Sequence, residues 1–277
     1  MEDNSLNARM KSYEDVSDYS LTPKIPTVIR ADGKSFSNWT SGLQRPFDDN
    51  FRSCMEYATY RLCKEIEGAR FGFTQSDEIS ILLIDYATIA TQPFFGNRLQ
   101  KMVSVAASIC TSAFITAALK YIPEHLKLKG LPKFDARVFS LPGEEVSNYF
   151  LSRSNDGSRN SIQQVARCYF SQKQLHGKSC DQIQEMLFQE HKLNWNDTSV
   201  KYKRGVCIYK VERELECFNT KTDTLPLTIT RRKWYKDYNM PIISQNTNYI
   251  NRWLENEPDY NIVNPDLIDC LDFKPEF

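Results

Sequence analysis

The chain has 277 residues, enough to bury a substantial core as one large domain or as a catalytic domain with a smaller appendage. Hydrophobic residues make up 41% and charged residues 25%, as in ordinary globular proteins, and 35 Lys and Arg balance 35 Asp and Glu. We expect a cytoplasmic protein without a membrane span, because we find no apolar run near ~18 residues and the acidic amino terminus resembles neither a signal nor a transit peptide.

Strand and helix patterns alternate through the first 142 residues. The predicted elements are a strand at Ile25–Arg30, a helix at Phe47–Ile66 closed by Gly68, strands at Phe71–Thr74 and Ile79–Ile84, a helix at Asn97–Tyr121 and a strand at Phe134–Phe139. The order strand, helix, strand, strand, helix, strand predicts an α+β, ferredoxin-like palm, an antiparallel sheet with two packed helices. Polymerase palms, nucleotidyl cyclases and many unrelated proteins share this fold, so it does not by itself give the function.

The patterns are weaker in the second half of the chain. They predict helices at Glu144–Phe150, Asn160–Leu175 and Gln182–His191, with Gly177 as a helix cap. Arg204–Val211 is expected to pair with Thr224–Arg232 as a hairpin. We therefore divide the chain into a palm-like catalytic domain at 1–142 and a helical and hairpin region at 143–277 that completes the same compact unit.

The eight cysteines include no C-x-x-C pair, which leaves a paired-cysteine zinc site unsupported. Cys54, Cys63 and Cys110 fall in apolar helical patterns, where reduced core thiols are expected. From Lys201 to Lys236 there are ten basic and four acidic residues. This segment is suited equally to phosphate contacts and to an ordinary solvated surface.

Acidic residues stand at the ends of neighbouring predicted strands. Asp32 and Gly33 follow the first strand, and Asp77 and Glu78 lie in the turn between the next two. Because those strands are neighbours in a ferredoxin-like sheet, Asp32 and Asp77 are expected to converge on one edge. Converging carboxylates are ligands that Mg²⁺ prefers, and Gly33 lets a metal or phosphate approach the backbone. Taken singly, each motif is more often a solvated turn, so the residues alone leave both interpretations open.

Nine short strings, in order between about residues 8 and 255, carry a resemblance to a known family. They are Ile29–Phe36, Arg45–Asp48, Thr74–Ser80, Arg98–Lys101, Phe134–Val138, Asp156–Asn160, Lys173–Lys178, Asn194–Asp197 and Lys203–Gly205. Together they resemble the tRNA-His guanylyltransferase family, whose members polymerise nucleotides in the 3′-to-5′ direction. Ala136 replaces the glycine usual in one of these strings.

The resemblance implies a two-metal site and a nucleotide site. Asp32, Asp77 and the Gly33 carbonyl would hold two Mg²⁺, and Glu78 would complete the catalytic group. The residues implied to bind ATP or GTP are Gly33, Lys34, Ser35, Phe36, Arg45, Asp48, Ser76, Arg98 and Lys101. Arg98 and Lys101 stand three residues apart, a spacing that suits a paired phosphate clamp on one helix face, although Lys101 also fits a solvated lysine.

The resemblance also implies the reaction and the partners. One metal would lower the pKa of the nucleotide's 3′-hydroxyl, which would attack an activated 5′ phosphate of tRNA, while the other would hold the triphosphate. ATP would activate a 5′-monophosphate by forming an adenylylated end, which would release AMP when the nucleotide is added. Because the growing end must carry the activating group, a second triphosphate or activation site is needed. The family also implies nucleoside triphosphates as substrates, tRNA as partner and a homotetramer.

One departure from the family pattern bears on the choice of tRNA. Eukaryotic members carry a His-x-Asn-Asn run where this chain has Asp156–Ser161, with Arg159 in place of the histidine. This difference resembles the Thg1-like branch of the family, whose members repair truncated 5′ ends by templated addition. His176 also fits that branch, although the basic residues at 173–178 would equally complement the dipole at a helix carboxyl terminus. The residues implied to contact RNA are Arg159, Asn160, Lys173, His176, Lys178, Lys203 and Arg204.

Two other classes of protein share features with this sequence. A nucleotidyl cyclase-like enzyme would act on free nucleotides, but the chain lacks a Gly-Gly-Asp/Glu-Glu-Phe string and a sensor domain. A catalytically silent RNA-binding relative would be expected to have lost a metal carboxylate, whereas Asp32, Asp77 and Glu78 are present. The sequence does not decide which tRNA or nucleotide is used, or which aromatic residues stack on bases.

Overall fold

The structure, a computed structural model, describes residues 5–219, 224–264 and 266–270, and of residues 215–219 and 224–227 it describes the backbone only. The strands are β1 (Thr27–Gly33), β2 (Ala69–Gln75), β3 (Glu78–Leu83), β4 (Phe134–Ser140), β5 (Val206–Asn219), β6 (Thr224–Asp237) and β7 (Ile268–Asp269). The helices are α1 (Leu6–Asp15), α2 (Phe36–Trp39), α3 (Asp49–Glu65), α4 (Leu99–Tyr121), α5 (Pro123–Lys129), α6 (Gly143–Ala166), α7 (Gln172–Leu175), α8 (Cys180–His191), α9 (Val200–Lys203) and α10 (Asn248–Asn251). Short 3₁₀ turns lie at Phe94–Asn97, Trp195–Asp197, Ile243–Gln245 and Arg252–Leu254.

The described strands form one antiparallel sheet in the order β4-β1-β3-β2-β5-β6-β7. The mixed helix and antiparallel-sheet class is therefore confirmed, as is the predicted succession of strands and helices up to β4. The predicted hairpin is also present, and it is longer than expected: β5 pairs with β6 from Cys207 opposite Asp237 to Asn219 opposite Thr224.

Apolar cores cover both faces of the sheet. Alternate residues of β1 and β3, such as Ile29 and Ile81, pack with α3 and α4 in the first core. Val28 and Leu82 point to the opposite face, where they pack with residues of α6 and β5. β3 is almost wholly buried, as its continuous apolar run predicted. The edge of the sheet where β1 and the β2–β3 turn meet is thus held between two packed layers.

Of the three helices predicted in the second half, Gln182–His191 is confirmed within α8, whereas the other two were given wrong bounds. α6 runs unbroken from Gly143 to Ala166, whereas two separate helices were predicted in this region. The second of these was expected to continue to Leu175, but it ends at Ala166, and α7 begins afresh after a capping box at Ser171. The first strand also differs, because Asp32 and Gly33 belong to β1 instead of following it. Periodicity failed in α6 because small polar residues, such as the buried Ser154, face the core there.

The expectation that no segment is long enough to cross a bilayer is wrong as to length. α4 has 23 residues and is long and apolar enough by composition to do so. It packs against α3 and β4, and side chains along it such as Met102, Ala106 and Phe114 are buried. A central core helix has the same composition, so this one helix does not by itself indicate a membrane protein.

The expected core thiols are confirmed: Cys54, Cys63 and Cys110 are buried and free.

Candidate functional site

The structure brings the three predicted carboxylates together at one edge of the sheet. Asp32 lies opposite Glu78 in the β1–β3 pairing and opposite Asp135 in the β1–β4 pairing. Ser76 and Asp77 form the tight turn between β2 and β3. The Gly33 amide donates to the Asp77 carbonyl oxygen at 3.1 Å, which ties this turn to the end of β1. The convergence expected from strand order is confirmed.

The three carboxylates repel each other electrostatically and are partly shielded from water. Burial raises the pKa of Asp32, and the charge of Asp135 raises it further. Burial also raises the pKa of Asp77, with a further contribution from Asp32. For Glu78, burial raises the pKa, while Arg153 and Arg30 oppose that shift. The ionised forms of these groups are therefore costly here, and a bound cation would relieve that cost.

One cavity, here called the carboxylate cavity, has a volume of about 350 Å³ and is bordered by Asp32, Asp77 and Glu78. Its opposite wall comes from α6. Arg153 donates to Glu78 at 3.3 Å and to Asp156 at 2.5 Å, and Arg159 also pairs with Asp156. The cavity thus has carboxylates at the sheet edge and, on α6, two arginines that are ion-paired with Glu78 and Asp156, so both charges are available to a ligand.

A second cavity, here called the aromatic cavity, has a volume of about 360 Å³ and lies on the other side of the same turn. Its walls include Phe36, Phe47 and Phe51. The ring of Phe47 stacks on Tyr202 of α9 with centroids 4.4 Å apart. Gln75, Ser76 and Asp77 border both cavities. The turn that carries Asp77 therefore separates two cavities.

Four of the residues implied to bind nucleotide line the aromatic cavity: Phe36, Arg45, Asp48 and Ser76. Asp48 caps α3, since its side-chain oxygens accept from the Phe51 amide at 2.8 Å and the Gln44 amide at 3.0 Å. This cap gives Asp48 a structural role beside any contact with a ligand.

The residues Gly33 to Ser35 shape the turn beneath that cavity. A Cβ on Gly33 would lie 2.4 Å from the Phe36 ring, so only glycine allows this packing. Lys34 donates its amide to the Lys133 carbonyl oxygen at 2.9 Å, and Ser35 has φ of 60°. Lys34 and Ser35 are exposed and border neither cavity.

Arg98 and Lys101 do not border either cavity. Arg98 forms an ion pair with Asp18 at 2.7 Å, and Lys101 lies over the Phe95 ring at 5.9 Å. Arg98 is the N-cap residue of α4 and Lys101 lies in its first turn, and the hydrogen bond from Arg98 and the charges of both lower the pKa of Asp18. The structure gives no support for a phosphate clamp by this pair at the carboxylates.

The implied RNA-contacting residues fall into three places. Arg159 and Asn160 border the carboxylate cavity. Lys203 donates to the Asn196 carbonyl oxygen, and Arg204 donates to the Met240 carbonyl oxygen at 3.3 Å, so both anchor chain segments. The exposed side chains around α7 lie outside both cavities: Lys173, His176 and Lys178.

Sequence reasoning missed several lining residues. Arg153 was detectable in principle, because Arg153, Asp156 and Arg159 follow at intervals of three on one helix face once α6 is recognised as continuous. Arg52 and Tyr202 line the aromatic cavity, and Arg52 lies over the Tyr202 ring at 5.8 Å. This contact joins α3 to α9 across 150 residues of sequence, so no local pattern could have revealed it.

Comparisons with known proteins give a consistent result. A family model described as tRNAHis guanylyltransferase matches residues 7–142. The chain is 30% identical over 222 residues to a probable tRNA(His) guanylyltransferase of Dictyostelium discoideum, covering 75% of this chain and 83% of that one. A bacterial tRNA(His) guanylyltransferase (Thg1)-like protein solved with ATP has a TM-score of 0.80 and 35% identity, covering 91% of this chain and 100% of that chain. A bacterial protein of the same description solved with GTP has a TM-score of 0.71 and 33% identity, covering 91% and 99%.

Proposed function

The chain belongs to the tRNAHis guanylyltransferase family, and from this membership we propose that it is a 3′-to-5′ nucleotidyltransferase adding nucleotides to the 5′ end of tRNA. Within that activity we propose templated repair of truncated 5′ ends over guanosine addition to tRNA-His. The observation that carries the proposal is that the Ser76–Asp77 turn borders both cavities. A nucleotide in one cavity and an RNA end in the other would therefore both lie beside Asp77.

The chemistry of each cavity supports this division. The aromatic cavity has the size and walls of a small-molecule site and suits the base and sugar of ATP or GTP. The carboxylate cavity is polar and carries Arg153 and Arg159, which suit the phosphates of an RNA 5′ end. Arg159, the residue that departs from the eukaryotic pattern, borders this second cavity, and both structural neighbours described above are Thg1-like proteins.

The site fits a pair of magnesium ions. Asp32 and Asp77, with the Gly33 carbonyl, would hold them, and Glu78 would lie alongside. The donors are all oxygen atoms, and carboxylates whose pKa burial has raised gain from a nearby cation. Among residues 5–219, 224–264 and 266–270 no group of three or more His, Cys, Asp or Glu side chains is placed to hold a metal, so substrate phosphates and water would complete the coordination. When bound, the ions supply Lewis-acid stabilisation of phosphate charge and lower the pKa of the nucleotide 3′-hydroxyl.

The protein's own groups orient the reactants. Arg153 donates to Glu78 and to Asp156 and borders the carboxylate cavity, so it would orient both carboxylates. The RNA 5′ end must carry the leaving group, so a 5′-monophosphate would first attack the α-phosphorus of ATP, which forms an adenylylated end and releases pyrophosphate. The 3′-hydroxyl of the next nucleotide then attacks the 5′ phosphorus of the RNA and releases AMP.

Four further features belong to the same proposal. The strand order β4-β1-β3-β2, with α3 and α4 packed on one face, supports a palm of the ferredoxin-like kind for residues 1–142. Residues 143–277 would complete the same unit, since α6 and α9 line the two cavities. We also propose a homotetramer, by resemblance to the family, and a cytoplasmic location. Gel filtration with light scattering tests the first of these, and a stable monomer would refute it.

The activity can be tested with two labelled RNAs, Mg²⁺ and all four nucleoside triphosphates. One RNA is a tRNA lacking its first 5′ nucleotide, and the other is a full-length tRNA-His without its extra guanosine. Extension of the truncated end by the Watson–Crick partner alone supports templated repair, whereas guanosine added only to tRNA-His supports guanylation instead.

Asp32→Ala and Asp77→Ala serve as matched controls and are each expected to abolish addition in a folded protein. Full activity in either variant would refute the two-metal assignment. Failure of the wild-type protein to extend either RNA, while it still binds ATP, would refute the transferase proposal. Cyclic products from free nucleotides would then point to a cyclase, and tRNA binding alone would point to a silent relative.

A further inference from the structure

Gln75 stands between the two cavities. It is the last residue of β2, directly before the Ser76–Asp77 turn, and it borders both cavities. Its side-chain Nε2 donates to the Tyr202 carbonyl oxygen at 3.1 Å and to the Gly157 carbonyl oxygen at 3.5 Å. One amide group thus connects the carboxylate turn to α6 and to α9.

α6 has a glycine where it contacts the Gln75 side chain. Gly157 is buried in the interior of the helix, and a Cβ there would lie 2.5 Å from Cγ and 3.1 Å from Cδ of Gln75. Glycine inside a helix is less favourable than alanine by about 1 kcal/mol. That unfavourable choice has a physical reason here, because alanine would displace Gln75.

Neighbouring residues on α6 hold the segment that Gln75 contacts. Ser158 donates to the Lys203 carbonyl oxygen at 2.9 Å, and Ser154 donates to the Arg204 carbonyl oxygen at 3.5 Å. Both acceptors follow Tyr202 directly in the chain. The α6 wall of one cavity and the α9 wall of the other are therefore joined along one helix face, with Gln75 between them.

We propose that Gln75 is a positioning residue: by bridging the carbonyl groups of Gly157 and Tyr202, it fixes the Ser76–Asp77 turn between the two bound reactants. The inference rests on the proposed function, because it assigns Gln75 to the reaction that joins a nucleotide to an RNA end. Gln75 contributes no group to the chemistry. Its contribution is the position of Asp77 relative to both cavities.

The first test replaces the amide while keeping the shape of the side chain. Gln75→Met removes the donor and is close to Gln in length. We expect the single-turnover rate on 5′-truncated tRNA to fall tenfold or more. Gln75 borders the aromatic cavity, but its amide nitrogen is engaged by two backbone carbonyl groups and Met keeps the length of the side chain, so the dissociation constant for ATP should stay within threefold. The melting temperature should stay within a few degrees. A purely structural role would instead lower the melting temperature and the ATP-binding capacity together with the rate.

The second test is a double-mutant cycle. Gly157→Ala is expected to slow the reaction tenfold or more with no loss of thermal stability, since the gain in helix propensity offsets the displaced side chain. In a Gln75→Ala background the same substitution meets no side chain at Cγ, and it should have less than a twofold effect on the rate.

Two results would overturn the inference. One is a wild-type rate for Gln75→Met, and the other is an equal effect of Gly157→Ala with and without Gln75. Either result in an otherwise active enzyme would leave the proposed function standing, whereas an inactive wild-type protein would refute that function first.

Discussion

Substitution of Gly205 can test how closely the segment between α9 and β5 approaches β2 near the site. It joins α9 to β5 with φ of 101°, and a Cβ there would lie 2.6 Å from the Phe73 ring and 2.7 Å from the Thr74 carbonyl oxygen. Replacement by alanine adds two costs. The positive φ costs about 1–2 kcal/mol, and overpacking against strand backbone costs about 1–3 kcal/mol. Gly205→Ala should therefore destabilise the protein by about 2–5 kcal/mol.

Gly42 provides the matched control. Its φ is 102°, almost the same as at Gly205, but a Cβ there would have nothing within 4 Å. Gly42→Ala thus carries the first cost alone, and the difference between the variants isolates the contact with β2. Since 1 kcal/mol shifts the melting temperature by about 2–4 °C in proteins of similar size, Gly205→Ala should melt about 2–12 °C below Gly42→Ala by calorimetry. Equal melting temperatures would refute the close approach.

Three further substitutions or conditions test the site. Asp77→Asn should abolish nucleotide addition yet raise the melting temperature of the metal-free protein at neutral pH. An acid with a raised pKa favours the fold when it is protonated, and it loses that contribution as the pH rises through its folded-state pKa. A lower melting temperature would contradict this expectation. In a plot of kcat/KM against pH, the acid limb should reflect the raised pKa values of Asp32 and Asp77 and should move to lower pH as the Mg²⁺ concentration increases. An acid limb that does not respond to Mg²⁺ would count against the metal assignment. Glu56→Gln should cost about 3–5 kcal/mol, because the buried carboxylate accepts from Arg52 and Tyr238. Glu56→Gln should also lower the affinity for ATP, since Arg52 borders the aromatic cavity. The double replacement Arg52→Met with Glu56→Met should recover part of the lost stability. A double variant as unstable as Glu56→Gln would contradict that reasoning.

The succession of strands and helices up to β4 was accessible from sequence because these elements have clear periods. The apolar stripe of α3 follows the helical repeat, and the apolar run of β3 matches a strand buried on both faces. The turn between β2 and β3 could be placed because polar residues interrupt two apolar strands. Strand neighbours then followed from the order of elements, which is why Asp32 and Asp77 could be expected to meet.

Other features depended on tertiary contacts that no local pattern records. α6 looked interrupted because Ser154, Gly157 and Ser161 are buried without being hydrophobic, where other segments approach the helix closely. The family resemblance implied a phosphate role for Arg98, and its spacing to Lys101 suited a paired clamp; this role stays a prediction. The ion pair of Arg98 with Asp18, 80 residues away in sequence, could not be read from that spacing.

The two halves of the chain contribute different residues to the site, and these residues are expected to affect the reaction in different ways. The match to the family model ends at residue 142, and Asp32, Asp77 and Glu78 all lie before that point. Residues from both halves complete the two cavities: Arg153 and Arg159 on α6 border the carboxylate cavity, whereas Lys201 and Tyr202 on α9 border the aromatic cavity together with Phe36, Phe47 and Phe51 of the first half. Substitutions of the three carboxylates should therefore change whether the reaction occurs. Substitution of Arg159 should change which RNA end is accepted, whereas nucleotide choice should respond to substitutions in both halves, because both line the aromatic cavity.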